Sequence, residues 1–204
     1  NKTTNPSAAM DPENRYLWRM NVGRMESEVV RDSLLWLGGR IDLAIGGQEL
    51  ENGEALTTRR RSMYYSCHPE LDGKSQFSAL SDAPEAAECY RRTKSIIPQQ
   101  ALALTNSDLV HQICESLTQS ILRDALSAPE ANSTSSELDA AFARTSFETI
   151  LGREPEAKES TGCVAFLARQ RQLLTEQKEA DPVTRSRESL VRALLNHNDF
   201  LTVR

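Results

Sequence analysis

The chain has little of what most metal and small-molecule chemistry draws on. Its histidines number three, at 68, 111 and 197, too scattered in sequence to suggest a metal site. The cysteines, Cys67, Cys89, Cys114 and Cys163, form neither CxxC nor CxxCH. A zinc knuckle and a c-type haem attachment site are therefore not encoded here. HExxH, GxSxG and a phosphate-binding glycine loop are missing as well, and the reading carries no cofactor for this segment. The glycine pairs at 38–39 and 46–47 do not fit a dinucleotide fingerprint and read as turns. Aromatic residues make up only 5%, so aliphatic contacts must supply most of any core. No apolar run approaches the ~18 residues that a membrane span needs, and no signal peptide is visible. The chain starts at Asn1 and is read as a processed product or a piece of something longer, so the missing signal is uninformative about export.

Lysine is scarce too, five against nineteen arginines. Arginine's planar fork suits fixed, two-pronged pairing, which points to structural ion pairs. The net charge of −5 comes mainly from residues 41–136, where eight basic side chains face thirteen acidic ones. No basic face stands out, which argues against nucleic acid as the main partner. At 204 residues and a mean hydropathy of −0.50, the chain is on the polar side of globular and long enough for one substantial core or two small ones.

What is there is concentrated in residues 11–47, which hold both tryptophans and both glycine pairs. Asp11-Pro12-Glu13-Asn14 reads as a turn that starts a helix. After Gly23 the spacing predicts a helix with Met25, Val29, Ser33, Trp36 and Leu37 along one side, widened by Val30 and Leu34. Gly38-Gly39 ends it. Arg24, Glu28 and Arg31 are four and then three residues apart and can pair along a helix surface. Arg15, Arg19, Asp32 and Arg40 are near enough in sequence to join them. The favoured reading is a structural ion-pair network. The sharper one is an arginine-lined pocket for a carboxylate, sulfate or phosphate. A Glu28→Gln variant that folds normally but loses anion binding would support the pocket, and simple destabilisation the network.

Along the chain, residues 1–10 read as irregular and 41–58 as a surface loop. Residues 63–65 read as a short strand, one piece of a small sheet at most. Residues 69–97 are the least regular part and include a basic patch over 89–94 with Arg91 and Arg92. In an oxidising compartment Cys67 and Cys89 would be the disulfide pair, whereas Cys114 and Cys163 fall in helical stripes and read as buried small hydrophobes. Pro98 restarts helix, Ser107-Asp108 caps the next, and Leu109, Val110, Ile113, Cys114, Leu117 and Ile121 form one stripe. Residues 127–136 are polar and read as a linker between an N-terminal helical part with an irregular wrap, 1–126, and a C-terminal three-helix bundle, 137–204, in one compact unit. Gly162, inside a helical pattern, marks a kink or a close helix contact. The fold class is mainly α: a helical bundle with a long irregular middle segment and at most a small β element.

Five blocks then occur in order: DPENRYLWRMN with GRMESEVVRDSLLWLGGRIDLAIGG, RRSMYY, YRRTKSIIPQQALALTNS, ILGREPEAKE, and ALLNHNDFLTVR. That succession resembles the C-terminal domain, of unknown function, of planctomycete-type surface proteins, over nearly the whole chain. The resemblance implies a long exported parent, at the periplasm or cell surface, in which a c-type cytochrome segment often precedes this domain. It carries over no catalytic residue. The chain departs from the family pattern at Ser66-Cys67-His68, where a proline-containing strand is expected, and at residues 79–84, where an acidic turn is expected. Two function classes follow. One is a non-catalytic module that docks or scaffolds within a larger surface protein, its partners being other domains of the parent chain; a further alternative, implied by the family architecture alone, is docking beside a c-type cytochrome domain for electron transfer. The other is an enzyme domain acting on an extracellular polysaccharide, with its site around Arg15, Arg19, Glu28, Arg31 and Asp32 beside the 89–94 loop. A deep pocket there with two carboxylates would favour the enzyme, and a closed, fully paired polar cluster the module.

Overall fold

The structure, a computed structural model, describes residues 6–66, 98–127 and 134–203. Arg91, Arg92, Cys67 and Cys89 lie outside the described residues. The chain is mainly α-helical. The described residues form eight α-helices: α1 Pro6–Met10, α2 Ser27–Leu37, α3 Pro98–Asn106, α4 Asp108–Ser127, α5 Ser135–Leu151, α6 Ala157–Glu176, α7 Pro182–Leu195 and α8 Asn198–Leu201. One two-stranded antiparallel sheet joins β1, Gly23–Arg24, to β2, Thr202–Val203.

Helix boundaries follow local chemistry. At the start of α5 the Glu137 carboxylate accepts from the Thr134 backbone N–H at 2.7 Å, and at the start of α6 Glu159 does the same for Glu156 at 2.7 Å. Pro182 opens α7 while the Asp181 carboxylate accepts from the Thr184 N–H at 3.0 Å. α2 stops at Gly38 and Gly39. Gly39 has φ +64°, a left-handed turn in which the Arg40 N–H reaches back to the Leu35 carbonyl at 2.8 Å.

The core is shared by α2, α3, α4, α5, α6, α7 and α8. α4 packs against α5 and α7, α6 packs along both α5 and α7, and α2 lies against α4. The stripe read in α4 faces inward, with Leu109, Val110, Ile113, Cys114, Leu117 and Ile121 all buried. Leu34 and Leu35 of α2 belong to the same buried cluster, as do Phe142 of α5, Leu167 of α6 and Val191 and Leu195 of α7. Fully burying each such side chain contributes roughly 1.5–3 kcal/mol before entropy is counted. The β1–β2 ribbon, continued by the Met25 N–H to the Leu201 carbonyl at 2.9 Å, ties the segment before α2 to the segment after α8. α2 therefore lies beside α8 although some 160 residues separate them.

Several expectations need correction. Residues 6–10 are helical. The turn at 11–14 starts no helix; it ends α1. The Asp11 carboxylate accepts from the backbone N–H groups of Arg15 and Tyr16, at 2.9 and 2.8 Å. Buried Asn14, at φ +57°, donates to the Arg19 carbonyl and to Asn21, both at 2.8 Å. These side chains occupy the backbone groups a helix would need. Residues 62–64 form a 3-10 turn rather than a strand. Gly162 is exposed with no heavy atom near a would-be Cβ, so it marks no close helix contact. In α2 the buried side is Ser27, Val30, Arg31, Leu34 and Leu35, not the Val29–Trp36 side. Val30 and Leu34 of the expected inward side are buried and Met25 and Leu37 pack against the core, but Val29 and Trp36 are exposed, because the buried stripe runs through Arg31 and Leu35 instead.

Candidate functional site

Arg31 is the most unusual residue of the fold. Its position in register with Val30, Leu34 and Leu35 turns it inward, where its side chain is only 1% exposed. A buried guanidinium must have its donors satisfied. Residues 55–62 supply the acceptors. Nε donates to the Ala55 carbonyl at 2.8 Å, Nη2 to the Thr58 carbonyl at 2.6 Å, and Nη1 to the Arg60 carbonyl at 2.9 Å and the Ser62 hydroxyl at 3.1 Å. The guanidinium also lies over the Tyr65 ring at 5.4 Å. One side chain thus collects the inward-facing carbonyls of a loop that has no regular ladder of its own.

Asp32, the next residue, holds the same loop from its flank. Its Oδ1 accepts from the Ser62 backbone N–H at 2.8 Å and the Ser62 hydroxyl at 2.7 Å, and its Oδ2 faces Arg61 at 3.5 Å. The direct Arg31–Asp32 approach is longer, 3.5 Å, and secondary. Burial lowers the Arg31 pKa, opposed by Tyr65 and Asp32. Burial pushes the Tyr65 phenol up to about 12, against the pull of Arg31. Tyr65 therefore stays neutral at any ordinary pH.

The loop has a second arginine clamp. Arg60 donates to the Ala44 and Gly46 carbonyls and lies over the Tyr64 ring at 4.2 Å. This aligns residues 42–50 with 60–65 through parallel bridges at Asp42–Arg60 and Leu50–Tyr65. Gly47, at φ +96°, faces Arg60 so closely that an added Cβ would sit 2.9 Å from Nη1.

Of the other described residues singled out in the sequence, each has contacts of its own. Arg15 faces Glu13 at 3.6 Å on the surface. Arg19 stacks on Trp18 at 5.4 Å. Arg24 sits in β1, before α2 begins, with its backbone opposite Thr202. Arg40 donates to Gln112 at 2.8 Å. Glu28 accepts from the Ser27 hydroxyl at 2.9 Å. Among the described candidates Arg31 and Asp32 hold the same loop, and the guanidinium of Arg31 is turned toward loop carbonyls rather than toward solvent.

Because the Arg31 side of α2 is spent on the core and the loop, its other side is left over. Val29 and Trp36 are 45% and 61% exposed, and across from them Leu43 and Met63 of the stapled loop are 55% and 66% exposed. With Met25, Leu37, Ile41, Ile150 and Phe200 they line an open groove of roughly 710 Å³. Glu28, Asp32, Asp199 and Arg61 border it. Sequence reasoning missed this surface, since its stripe reads as core. The signal that could have found it was the competing stripe at 27, 30, 31, 34 and 35.

Asp199 belongs to a second polar cluster. Arg153 donates from Nε to Asp199 at 2.9 Å and from Nη1 and Nη2 to both Glu159 oxygens at 2.7 and 2.8 Å. The Arg153 guanidinium holds the Glu159 carboxyl down to about 2 and is itself raised above its usual range by the same bonds. The His197 Nδ1 accepts from the Asp199 N–H at 3.0 Å and caps α8. The blocks ILGREPEAKE and ALLNHNDF thus meet at one structural knot. A third cluster is buried, with Asp139 of α5 accepting from Arg171 of α6 at 2.7 Å and Arg187 of α7 at 3.3 Å. Among the described residues no three His, Cys, Asp or Glu side chains are grouped so as to hold a metal ion, and no helix is long and apolar enough to cross a membrane.

These features define a mainly helical domain in which one buried guanidinium, Arg31, staples an irregular loop onto a helical core, with an apolar groove left open alongside. The chain belongs to the PSD1 family, described as a protein of unknown function (DUF1553), whose model matches residues 1–167. No curated protein and no solved structure matches it. The family match ends within α6, while α7 and α8 complete the same core.

Proposed function

We propose that this chain is a non-catalytic docking module of a larger exported surface protein, joined to a neighbouring domain of its parent through the groove along α2. The observation that carries this reading is the unburied apolar side of α2. Single exposed apolar residues are ordinary. A tryptophan, a valine, a leucine and a methionine facing one another across a groove are a contiguous patch of the kind that marks an interaction surface. The nearby charges support the same reading. Arg31, Asp32 and Arg153 are engaged by partners within the chain, so their evident work is to hold the groove's walls in place. A neighbouring c-type cytochrome domain is the occupant that the family resemblance favours.

Photo-methionine in the parent protein tests this. Met25 and Met63 both line the groove. Crosslinks from these two positions to another domain are expected. Crosslinks confined to this chain, with the groove as open in the parent as here, would refute the docking role. A second reading draws on the carboxylates of Glu28, Asp32 and Asp199 beside exposed Trp36, an arrangement suited to a sugar chain. Polysaccharide cleavage that disappears in Glu28→Gln while folding is unchanged would select it over docking.

A further inference from the structure

Asn52 is followed by Gly53, the one place in the sequence where glycine succeeds asparagine. The pair opens the 3-10 turn Asn52–Glu54, which leads to Ala55, whose carbonyl accepts from the Arg31 Nε. A helical turn leaves its first backbone N–H groups without partners, and no hydrogen bond among the described residues takes up the Gly53 N–H. Gly53 is exposed, with no heavy atom within 4 Å of a would-be Cβ. The space around this nitrogen is open, and glycine's freedom of rotation lets the backbone turn it towards the Asn52 side chain. That side chain has one job in the fold. Its Nδ2 donates to the Ser66 carbonyl at 3.2 Å and approaches the Ser66 hydroxyl at 3.5 Å, tying the turn to the end of the loop.

We infer that Asn52 is a self-modifying site: the Gly53 nitrogen attacks the Asn52 side-chain amide, and the acid that results unfastens the loop stapled by Arg31. In the first step the bond from the Gly53 nitrogen to the Asn52 Cγ forms and the Cγ–Nδ2 bond breaks. The Gly53 proton leaves with that nitrogen as ammonia, and a five-membered cyclic imide remains. Water then adds to one of the two imide carbonyls. Opening at one side leaves aspartate. Opening at the other leaves isoaspartate, whose main chain runs through the former side chain. The consequence follows from donor chemistry. An ionised carboxylate accepts and cannot donate, so either product loses the bond to the Ser66 carbonyl. Isoaspartate also adds one carbon to the main chain between Leu50, bonded to Tyr64 and Ser66, and Ala55, bonded to Arg31.

The experiment incubates the 204-residue chain in mildly alkaline buffer beside a synthetic peptide of residues 48–57. Mass spectrometry of proteolytic fragments follows each asparagine, and an isoaspartate-specific methyltransferase separates the two products. Conversion at Asn52 is expected ahead of every other asparagine, at a rate within about tenfold of the free peptide, a difference of about 1.4 kcal/mol in barrier. Gly53→Ala is tolerated by the open space and by a φ outside the left-handed region. It should slow conversion about tenfold or more in chain and peptide alike, with an unchanged circular dichroism spectrum. In the converted chain the Leu50 and Ser66 amides should exchange about two- to tenfold faster, the loss of one hydrogen bond, while α4 amides are unchanged. An Asn52 that persists in the folded chain while the peptide reacts overturns the inference. So does conversion no faster than at Asn106 or Asn196, or a Gly53→Ala chain that reacts as fast as the parent. Conversion that leaves Leu50 and Ser66 as protected as before overturns the unfastening.

Discussion

Replacing Arg31 by methionine tests the staple directly. Methionine keeps much of the side-chain length and apolar stem, so the loss is chiefly of the guanidinium. That group bonds the carbonyls of Ala55, Thr58 and Arg60 and the hydroxyl of Ser62. Hydrogen bonds from a charged donor are worth about 1.5–3 kcal/mol each, yet the loop can partly turn its carbonyls to water once released. The figure for removing one member of a buried charged cluster, about 3–5 kcal/mol, is therefore the better guide. For a chain of this length that lowers Tm by about 6–20 °C. Urea denaturation measures the total. Amide exchange locates it, because the N–H groups of Asp42, Leu50 and Ser66 are bonded within the loop pair. All three should exchange faster in the variant, while amides in α4 follow only the global change. Arg31→Lys, with one point charge in place of the fork, should recover only part of the loss. If Arg31→Met stays within about 0.5 kcal/mol of the parent and the three amides keep their protection, the staple is not what holds the loop.

Three further outcomes follow. Gly162→Ala should stabilise the chain by about 1 kcal/mol by thermal denaturation, since the site is an exposed helix interior with open space around it. Glu159, held at about 2 against an ordinary 4.5, binds no proton in the fold where the unfolded chain would. Its contribution is complete above pH 4.5 and is lost as pH falls toward 2. Allowing for solvent screening at this partly exposed pair, that is about 1–2 kcal/mol, and Glu159→Gln should remove this part of the acid dependence in urea titrations. Asp139→Ala should cost about 3 kcal/mol or more, because buried Arg187 loses its counter-charge, and the double variant with Arg187→Met should recover much of it.

Much of the helical layout was legible in the sequence because it is local. Helices α3 to α7 follow from apolar periodicity and from starters such as Pro98, Asp108 and Pro182, all of which act within a turn or two of their own position. The stripe of α4 is uninterrupted by charge, and its burial follows directly. In α2 the same method finds Val30 and Leu34 but takes exposed Val29 and Trp36 for core and misses Arg31 and Leu35. A guanidinium inside the apolar stripe looks like a polar face until the acceptors at residues 55, 58 and 60 are known, and these come from a segment with no periodicity of its own.

The sequence by itself therefore determined that this is a mainly helical chain, where most helices start and stop, and that arginine would be used for fixed pairing. Only the tertiary structure decided which side of α2 is core and which is open, that Arg31 serves the loop rather than Glu28, and that residues 25–37 lie beside residues 199–203. The reason is range. Periodicity and capping are set by neighbours a few residues apart. The partner of a buried charge, and the apolar surface that remains once it is satisfied, depend on groups brought together only when the whole chain has folded.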